Sequence, residues 1–384
     1  MTHYLDYAAT SAVRPPDVIR AVSDFLQACG ATPGRGGHGP AVEAGRLALR
    51  TRRAVLEVLG LAGGDPGRFV FTLNATHALN MALQGLLERG DAVVSTVYDH
   101  NAVVRPLHRL ARERGIDVRT VAGDAEGNLD EEAFAKALEG ARLVCLNAAS
   151  NVLGTTLPLD RLAVMAREAG ALVLVDVAQT AGCLDVDLTS ADLVAVTGHK
   201  GLLGPQGIGG LWARPGVEVA PLLMGGTGGD SLDPEGPPAL PERLEAGTQN
   251  APGMAGLEAG CGFLLECGIR SVHQRTAGLK SRLRDGLAEV RGLELLSPAA
   301  PQGIPIVTVR AAALDPATLA HRLDVEYGVQ ARAGLHCAPG AHRTLGTTET
   351  GALRFSLGWA STEADVDRAV EGTHHVLASL SSSD

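Results

Sequence analysis

The side chains best suited to chemistry in this sequence stand directly after predicted strands. One of them is Lys200, which closes the run Thr197-Gly198-His199-Lys200 behind an apolar strand predicted over 193–197. An amine at the end of a buried strand can form an imine with a carbonyl group. Residues 201–210 are nearly uncharged and rich in glycine, which is typical of backbone packed closely around a ligand. We therefore favour a ligand-binding lysine over an isolated surface lysine.

Two further strand ends carry groups that suit a charged, planar ligand. Asp176 follows a strand predicted over 172–175, and a carboxylate there can pair with a pyridinium nitrogen, whose protonated ring is an electron sink for carbanions. Thr76 lies in the first turn of a helix after the predicted strand 69–72, where free N–H groups and the helix dipole favour a phosphate. Taken alone, Asp176 is more often a helix cap or turn residue, and Thr76 is as typical of an ordinary cap.

Weaker signals of the same kind come from a histidine and an asparagine. His100 follows the predicted strand 93–96, and its ring can stack on a planar ligand. Asn151 follows the predicted strand 143–147 and can hydrogen-bond to a ring substituent. A structural histidine and a turn asparagine are the common alternatives for such residues.

The C-terminal third of the chain holds a candidate nucleophile and a candidate carboxylate ligand. Cys337 lies on a short loop beside His336 and near Arg332, an arrangement that favours a nucleophilic thiol. Arg354 is the single charge in the apolar, strand-like run 351–357. A guanidinium so placed suits bidentate capture of a substrate carboxylate, and a structural ion pair is the competing interpretation.

These residues require a sheet whose strand ends meet in one crevice. From residue 69 onward, short β-rich runs alternate with stretches of helical period, which predicts an α/β fold with a mostly parallel sheet and helices on both faces. The seven predicted strands cover 69–72, 93–96, 117–121, 143–147, 172–175, 193–197 and 210–212. Because ligands of such sheets bind beyond the carboxyl ends of the strands, the candidate residues are expected to converge.

A change of pattern near residue 250 predicts a second domain. After the stretch 225–241, which is rich in Gly and Pro, longer helices surround a strand predicted over 306–309. We predict an N-terminal segment over 1–15 that packs with the small domain and a large cofactor-binding domain over 16–250. A smaller α+β domain over 251–384 would carry the Cys337 loop.

Composition excludes several classes of partner. The chain has 384 residues, a formal net charge of -10 and a pI near 5.6, which opposes binding to a nucleic-acid backbone. Its six cysteines are scattered without a CxxC pair, as is typical of a reducing cytoplasm. No stretch is apolar for long enough to span a bilayer. We expect a cytoplasmic protein that binds neither nucleic acid nor membrane and has no metal site.

With these residues in view, the chain resembles the cysteine desulfurase and selenocysteine lyase family, of the class V aminotransferase type with pyridoxal phosphate fold type I. The resemblance runs nearly end to end and includes Arg354. It rests on motifs that occur in order: Tyr4-Leu5-Asp6-Tyr7-Ala8-Ala9-Thr10, Pro33-Gly34-Arg35-Gly36-Gly37-His38, Asn74-Ala75-Thr76-His77, Asp99-His100-Asn101, Ser150-Asn151-Val152-Leu153-Gly154, Asp176-Val177-Ala178-Gln179, Thr197-Gly198-His199-Lys200, Glu245-Ala246-Gly247-Thr248 and Arg332-Ala333-Gly334-Leu335-His336-Cys337.

The resemblance implies a role for each of these residues. Lys200 would carry pyridoxal 5'-phosphate as a Schiff base and act as general base, His100 would stack on the ring, and Cys337 would receive the sulfur. The other cofactor contacts would come from Ala75, Thr76, Asn151, Asp176, Gln179, Thr197, His199 and, from the second subunit of a homodimer, Thr248. The substrate would lie against Arg35, Asn151, Arg332 and Arg354.

The implied reaction converts L-cysteine to L-alanine and passes the sulfur, held as a persulfide on Cys337, to an acceptor protein or thiol. Selenocysteine lyase is the nearest alternative, since the same site can cleave the C–Se bond of L-selenocysteine. Another C–S lyase or an aminotransferase of this fold is a further alternative. A non-catalytic sulfur-handling protein belongs to a different class, and it would have no need of Lys200, Asp176, Cys337 and Arg354 together.

Overall fold

A computed structural model describes residues 2–34, 36–228, 232–299 and 303–381 of the chain. The strands are numbered in chain order. They are β1 (His3–Tyr4), β2 (Phe69–Thr72), β3 (Ala92–Thr96), β4 (Asp117–Val121), β5 (Ala141–Asn147), β6 (Leu172–Asp176), β7 (Leu193–Thr197), β8 (Gly209–Ala213), β9 (Leu293–Leu295), β10 (Ile306–Ala311), β11 (Val329–Gln330), β12 (Arg332–Gly334) and β13 (Ala352–Ser356).

The helices surround these strands and begin with a proline-led helix near the N-terminus. They are α1 (Pro16–Ala28), α2 (Gly39–Val58), α3 (Ala75–Leu86), α4 (Asn101–Arg114), α5 (Glu131–Ala137), α6 (Leu159–Glu168), α7 (Ala251–Cys267), α8 (Ile269–Ala288), α9 (Pro316–Tyr327), α10 (Pro339–Thr344) and α11 (Glu363–Ser381). The stretch 225–241 lies outside helices and strands wherever it is described.

The large sheet has seven strands in the order β2-β8-β7-β6-β5-β3-β4. The pairs from β7 through to β4 are parallel, and β8 runs antiparallel to both of its neighbours. Strands β7 and β8 are buried along their whole length, as expected where helices cover both faces of a sheet. The predicted mostly parallel, seven-stranded α/β sheet is confirmed, and each predicted strand matches an observed one to within two residues at either end.

The helices that follow β2 and β3 begin with a side-chain cap at the carboxyl edge of the sheet. The side chain of Asn74 accepts from the backbone N–H of His77 at 3.0 Å and so starts α3. His100 starts α4 in the same way, because its Nδ1 accepts from the N–H of Ala102 at 3.0 Å. Both capping residues therefore stand where a ligand of the sheet would bind.

A second, antiparallel sheet in the order β12-β13-β10-β9 forms the C-terminal part. Its core includes Leu283 of α8, Leu323 of α9 and Phe355 of β13, all fully buried. Near the N-terminus, β1 pairs in parallel with β11. Helix α7, by contrast, contributes Met254 and other residues to the core beneath the large sheet. The division of the chain at residues 15 and 250 stays a prediction.

Candidate active site

A cavity of about 250 Å³ opens at the carboxyl ends of the parallel strands. Asn147, Asp176 and Thr197 end three adjacent strands of the sheet and line it. The structure brings together in this lining most of the site residues expected from the sequence, namely Ala75, Thr76, His100, Asn151, Asp176, Gln179, Thr197, His199, Lys200, Arg332 and Arg354. The candidate residues that follow different strands therefore meet in one cavity, as expected from the sequence.

Lys200 and Asp176 form the charged centre of the cavity. Burial lowers the pKa of Lys200 from 10.5 to about 8, with smaller effects from other charges, of which Asp176 opposes the shift. Burial also raises the pKa of Asp176, against a hydrogen bond from the Ala178 N–H and the charge of Lys200. A lysine with so low a pKa has a substantial neutral fraction near neutral pH, which a nucleophilic or basic amine requires.

His100 presents a neutral ring to the same cavity. Burial, together with the charge of Lys200, lowers the pKa of His100 to about 4. Because Nδ1 accepts the hydrogen bond from Ala102, the proton of the neutral ring lies on Nε2. The ring is thus an uncharged surface with one N–H donor.

Part of the cavity lining has groups that suit an anion. Ala75 and Thr76 lie in the first turn of α3, where backbone N–H groups have no partner within the helix. The Thr197 hydroxyl is buried and has no hydrogen-bond partner in the protein. His199 lies two residues further along the chain, and its Nδ1 is 3.0 Å from the Thr10 hydroxyl. A buried hydroxyl without a partner, in a cavity that also includes a helix start, fits an anionic group.

Arg354 also lines the cavity, and its guanidinium already has two protein partners. Its Nη2 donates to Asp6 Oδ1 at 2.8 Å, and its Nη1 donates to the Asn151 carbonyl oxygen at 3.0 Å. The structural ion pair expected as an alternative is therefore present, although each of these nitrogens retains a second hydrogen. Asn151 donates through Nδ2 to the carbonyl oxygen of His336 at 2.6 Å.

Cys337 lies beside the cavity, outside its lining. Its sulfur is 3.8 Å from Nη2 of Arg332, a residue that does line the cavity. The backbone of Cys337 is left-handed, with φ of 59°, and its carbonyl oxygen accepts from the N–H of Asn101 at 2.7 Å. The thiol is half-buried and therefore stands between the cavity and the surface.

The remaining candidates lie elsewhere or serve the protein itself. Gln179 lines the cavity and donates through Nε2 to the Ala8 carbonyl oxygen at 3.0 Å. Thr248 is exposed and does not line the cavity of this chain. Arg35 lies outside the described residues.

Sequence reasoning did not single out Asn147, His336 or Asp6 as residues of the site. Asn147 ends a strand of the parallel sheet, so the rule that found Asp176 applied to it as well. His336 was noted only as a neighbour of Cys337, yet it lines the cavity. Asp6 is the partner of Arg354 and lies 348 residues away in sequence, a separation that no local pattern bridges.

Comparison with known proteins identifies the family. A family model described as aminotransferase class V matches residues 3–369. The chain therefore belongs to the class V aminotransferase family, and the resemblance inferred from its motifs is confirmed.

Several relatives of the chain within that family are named as cysteine desulfurases. The chain is 34% identical to a probable cysteine desulfurase of Methanothermobacter thermautotrophicus, covering 94% of this chain and 92% of that one. It is 33% identical to a cysteine desulfurase of Haloferax volcanii, covering 94% and 87%. The apo structure of a cysteine desulfurase from Thermococcus onnurineus NA1 superposes with a TM-score of 0.91 at 31% identity, covering 98% of this chain and 94% of that one. These likenesses confirm the predicted fold type.

Two features are absent from the described residues. None of the helices there combines the length and the apolar character needed to cross a membrane. Likewise, the described part of the chain has no group of three or more His, Cys, Asp or Glu residues arranged to hold a metal ion.

Proposed function

We propose that the protein is a pyridoxal 5'-phosphate-dependent cysteine desulfurase that converts L-cysteine to L-alanine and passes the sulfur through Cys337 to an acceptor thiol or protein. The observation that carries the proposal is a single cavity that joins a lysine of lowered pKa, a carboxylate of raised pKa and a helix start, with a thiol at its edge. The names of the relatives support the same reaction.

The residues of the cavity fit pyridoxal 5'-phosphate. Lys200 would bond to it covalently, Asp176 would pair with its ring nitrogen and the flat ring of His100 would cover it. The phosphate would lie at the start of α3 and would accept from the hydroxyl of Thr197, which ends β7 and has no hydrogen-bond partner in the protein. When bound, the cofactor supplies an electron sink for the carbanion at the substrate Cα.

Lys200 is the base in this proposal. Its Nζ, once free, takes the α proton of the substrate, and its lowered pKa of about 8 makes the neutral amine available near neutral pH. Arg354 and Asn151 would orient the substrate carboxylate, since the two Nη atoms of Arg354 each keep a hydrogen for a further acceptor. His100 stays neutral and offers its Nε2–H to the same space.

Cys337 is the sulfur carrier. Its thiolate attacks the substrate sulfur, so that an S–S bond forms while the C–S bond breaks and its electron pair stays with carbon. Carbon is reduced and sulfur is oxidised, so L-cysteine and the thiol give L-alanine and a Cys337 persulfide with no external oxidant. The guanidinium of Arg332, 3.8 Å from the sulfur, favours the negative charge of the attacking thiolate.

A homodimer forms part of the proposal, because Thr248 would complete the phosphate site of a second copy. Thr248 is exposed, and the nearby Glu245 is anchored by Arg52 through two hydrogen bonds of 2.9 and 2.8 Å. The preceding stretch exposes Leu223 and Met224, at 54% and 65%, as is typical of residues that meet a partner. Light scattering is expected to give twice the chain mass of 39.6 kDa, and a monomer that binds the cofactor fully would contradict this arrangement.

The test of the function measures alanine and sulfide released from L-cysteine in the presence of a reductant. We compare wild type, Cys337→Ala and the control Cys267→Ala at equal cofactor occupancy, since Cys267 is exposed at the end of α7. Wild type and Cys267→Ala are expected to release both products, and Cys337→Ala is expected to fail. A Cys337→Ala variant that turns over L-cysteine at the wild-type rate would overturn the carrier assignment. Wild-type activity on L-selenocysteine alone would favour the lyase instead.

A further inference from the structure

Two buried histidines form a hydrogen-bonded chain beside Cys337. Nδ1 of His336 lies 3.2 Å from Nε2 of His342. At one end, His336 Nε2 is 3.0 Å from the carbonyl oxygen of Arg332. At the other end, His342 Nδ1 is 2.8 Å from the Thr347 hydroxyl. His336 is 2% exposed, and His342 and Thr347 are both 0% exposed, so water does not compete for these bonds.

The partners of the two rings determine where each proton lies. Burial lowers the pKa of His336 to about 3 and that of His342 to about 4, so both rings are neutral at pH 7. A carbonyl oxygen only accepts, so His336 carries its proton on Nε2 and accepts at Nδ1. His342 must then donate from Nε2, and its Nδ1 accepts from the hydroxyl of Thr347.

The chain of hydrogen bonds continues from His336 into the cavity wall. The carbonyl oxygen of His336 accepts from Nδ2 of Asn151, whose own carbonyl oxygen accepts from Arg354. His336 and Cys337 are successive non-glycine residues in the left-handed region, with φ of 50° and 59°. Residues other than glycine rarely adopt that backbone conformation, which persists only where the surroundings hold it.

We propose that His342 is a positioning residue for Cys337, because its hydrogen bond to His336 holds the left-handed turn that keeps the sulfur beside the cavity. The inference rests on the proposed desulfurase function, in which the Cys337 sulfur must meet the substrate sulfur. A misplacement of about 1 Å can slow such a step by about 100-fold. His342 is not part of the cavity lining, so substrate binding does not depend on it directly.

A matched pair of amide substitutions separates the two hydrogen bonds of His342. Glutamine reaches as far as ring Nε2 and can still donate to His336, whereas asparagine reaches only the position of Nδ1 and can engage Thr347 alone. We therefore compare His342→Gln with His342→Asn in the cofactor-loaded protein. The readouts are kcat and KM for L-cysteine, amide hydrogen exchange over residues 332–338, and the rate at which iodoacetamide alkylates Cys337.

In His342→Asn, kcat is expected to fall by about 10- to 100-fold with little change in KM. Exchange over 332–338 is expected to become faster, and alkylation of Cys337 no slower, because the thiol stays present while its turn loosens. His342→Gln is expected to restore kcat and exchange most of the way to wild type. Equal behaviour of the two variants would overturn the proposal.

Two further outcomes are decided by the same experiment. If wild type releases no alanine, the proposed function fails, and the exchange rates alone still decide whether His342 holds the turn. If His342→Asn does not fold, His342→Leu replaces it, since leucine fills much of the volume of the ring and removes the donor to His336. Faster exchange over 332–338 in that variant supports the proposal, and wild-type exchange and kcat would overturn it.

Discussion

The two parts of the candidate site are built on different kinds of backbone. Asp176 ends a strand that is hydrogen-bonded to a neighbour on each side, and Lys200 follows the next strand of the same sheet. Cys337 lies in a left-handed turn that is held by hydrogen bonds from outside it, including those to His336 and from Asn101. Groups that must keep a fixed geometry are thus on the sheet. The thiol, which must meet both a substrate and an acceptor, is on a turn whose conformation depends on contacts from other elements.

The largest expected effect comes from removing the sheet-borne base. Lys200→Ala is expected to lower kcat for alanine release by about 1,000-fold, because no other amine among the described residues lines the cavity to take the α proton. Lys136→Ala, at the exposed end of α5, is the matched control and is expected to keep full activity. Activity within the range of this control would show that Lys200 is not the base.

The next effect concerns Arg354, whose partner Asn151 also donates to the carbonyl oxygen of His336 in the turn. Arg354 of β13 binds both Asp6 and the backbone of Asn151, and its side chain is 1% exposed. Asp6→Asn leaves that buried guanidinium without its counter-ion and is expected to lower the free energy of unfolding by about 3 kcal/mol. Urea denaturation at pH 7 measures this loss in the free energy of unfolding. Asp367→Asn is the control, since its pair with Arg282 is about half exposed and contributes little. Equal loss in both variants would contradict a special role for the buried pair.

A pH titration sharpens the description of the sheet-borne part. In protein without cofactor, the neutral fraction of Lys200 rises as the pH increases through about 8, so about one amine in ten is neutral at pH 7. Competitive acetylation followed by peptide mass spectrometry is expected to give that midpoint. Asp176→Asn is expected to lower the midpoint further, because the carboxylate raises the pKa of Lys200. A midpoint near the ordinary value of 10.5 would contradict the burial of this amine.

The sequence predicted the sheet-borne part better than the turn, for a physical reason. Runs such as that of β7 combine β-branched residues with burial on both faces, and the residue after each run is fixed by chain order alone. The pairing of Arg354 with Asp6 and the chain from His336 to Thr347 depend on tertiary packing. No period or spacing encodes which buried donor meets which acceptor. The role of Thr248 likewise depends, in our proposal, on a second copy of the chain, because this residue is exposed in a single copy.

The most direct test of the central claim is the mass of the peptide that contains Cys337 after a brief incubation with L-cysteine and no reductant. We expect this peptide to gain one sulfur atom, with an equal amount of L-alanine released and no gain on the peptide that contains Cys267. Sulfur on Cys337 without alanine, or alanine without sulfur on Cys337, would contradict the proposal that one cavity couples the lysine on the sheet to the thiol on the turn.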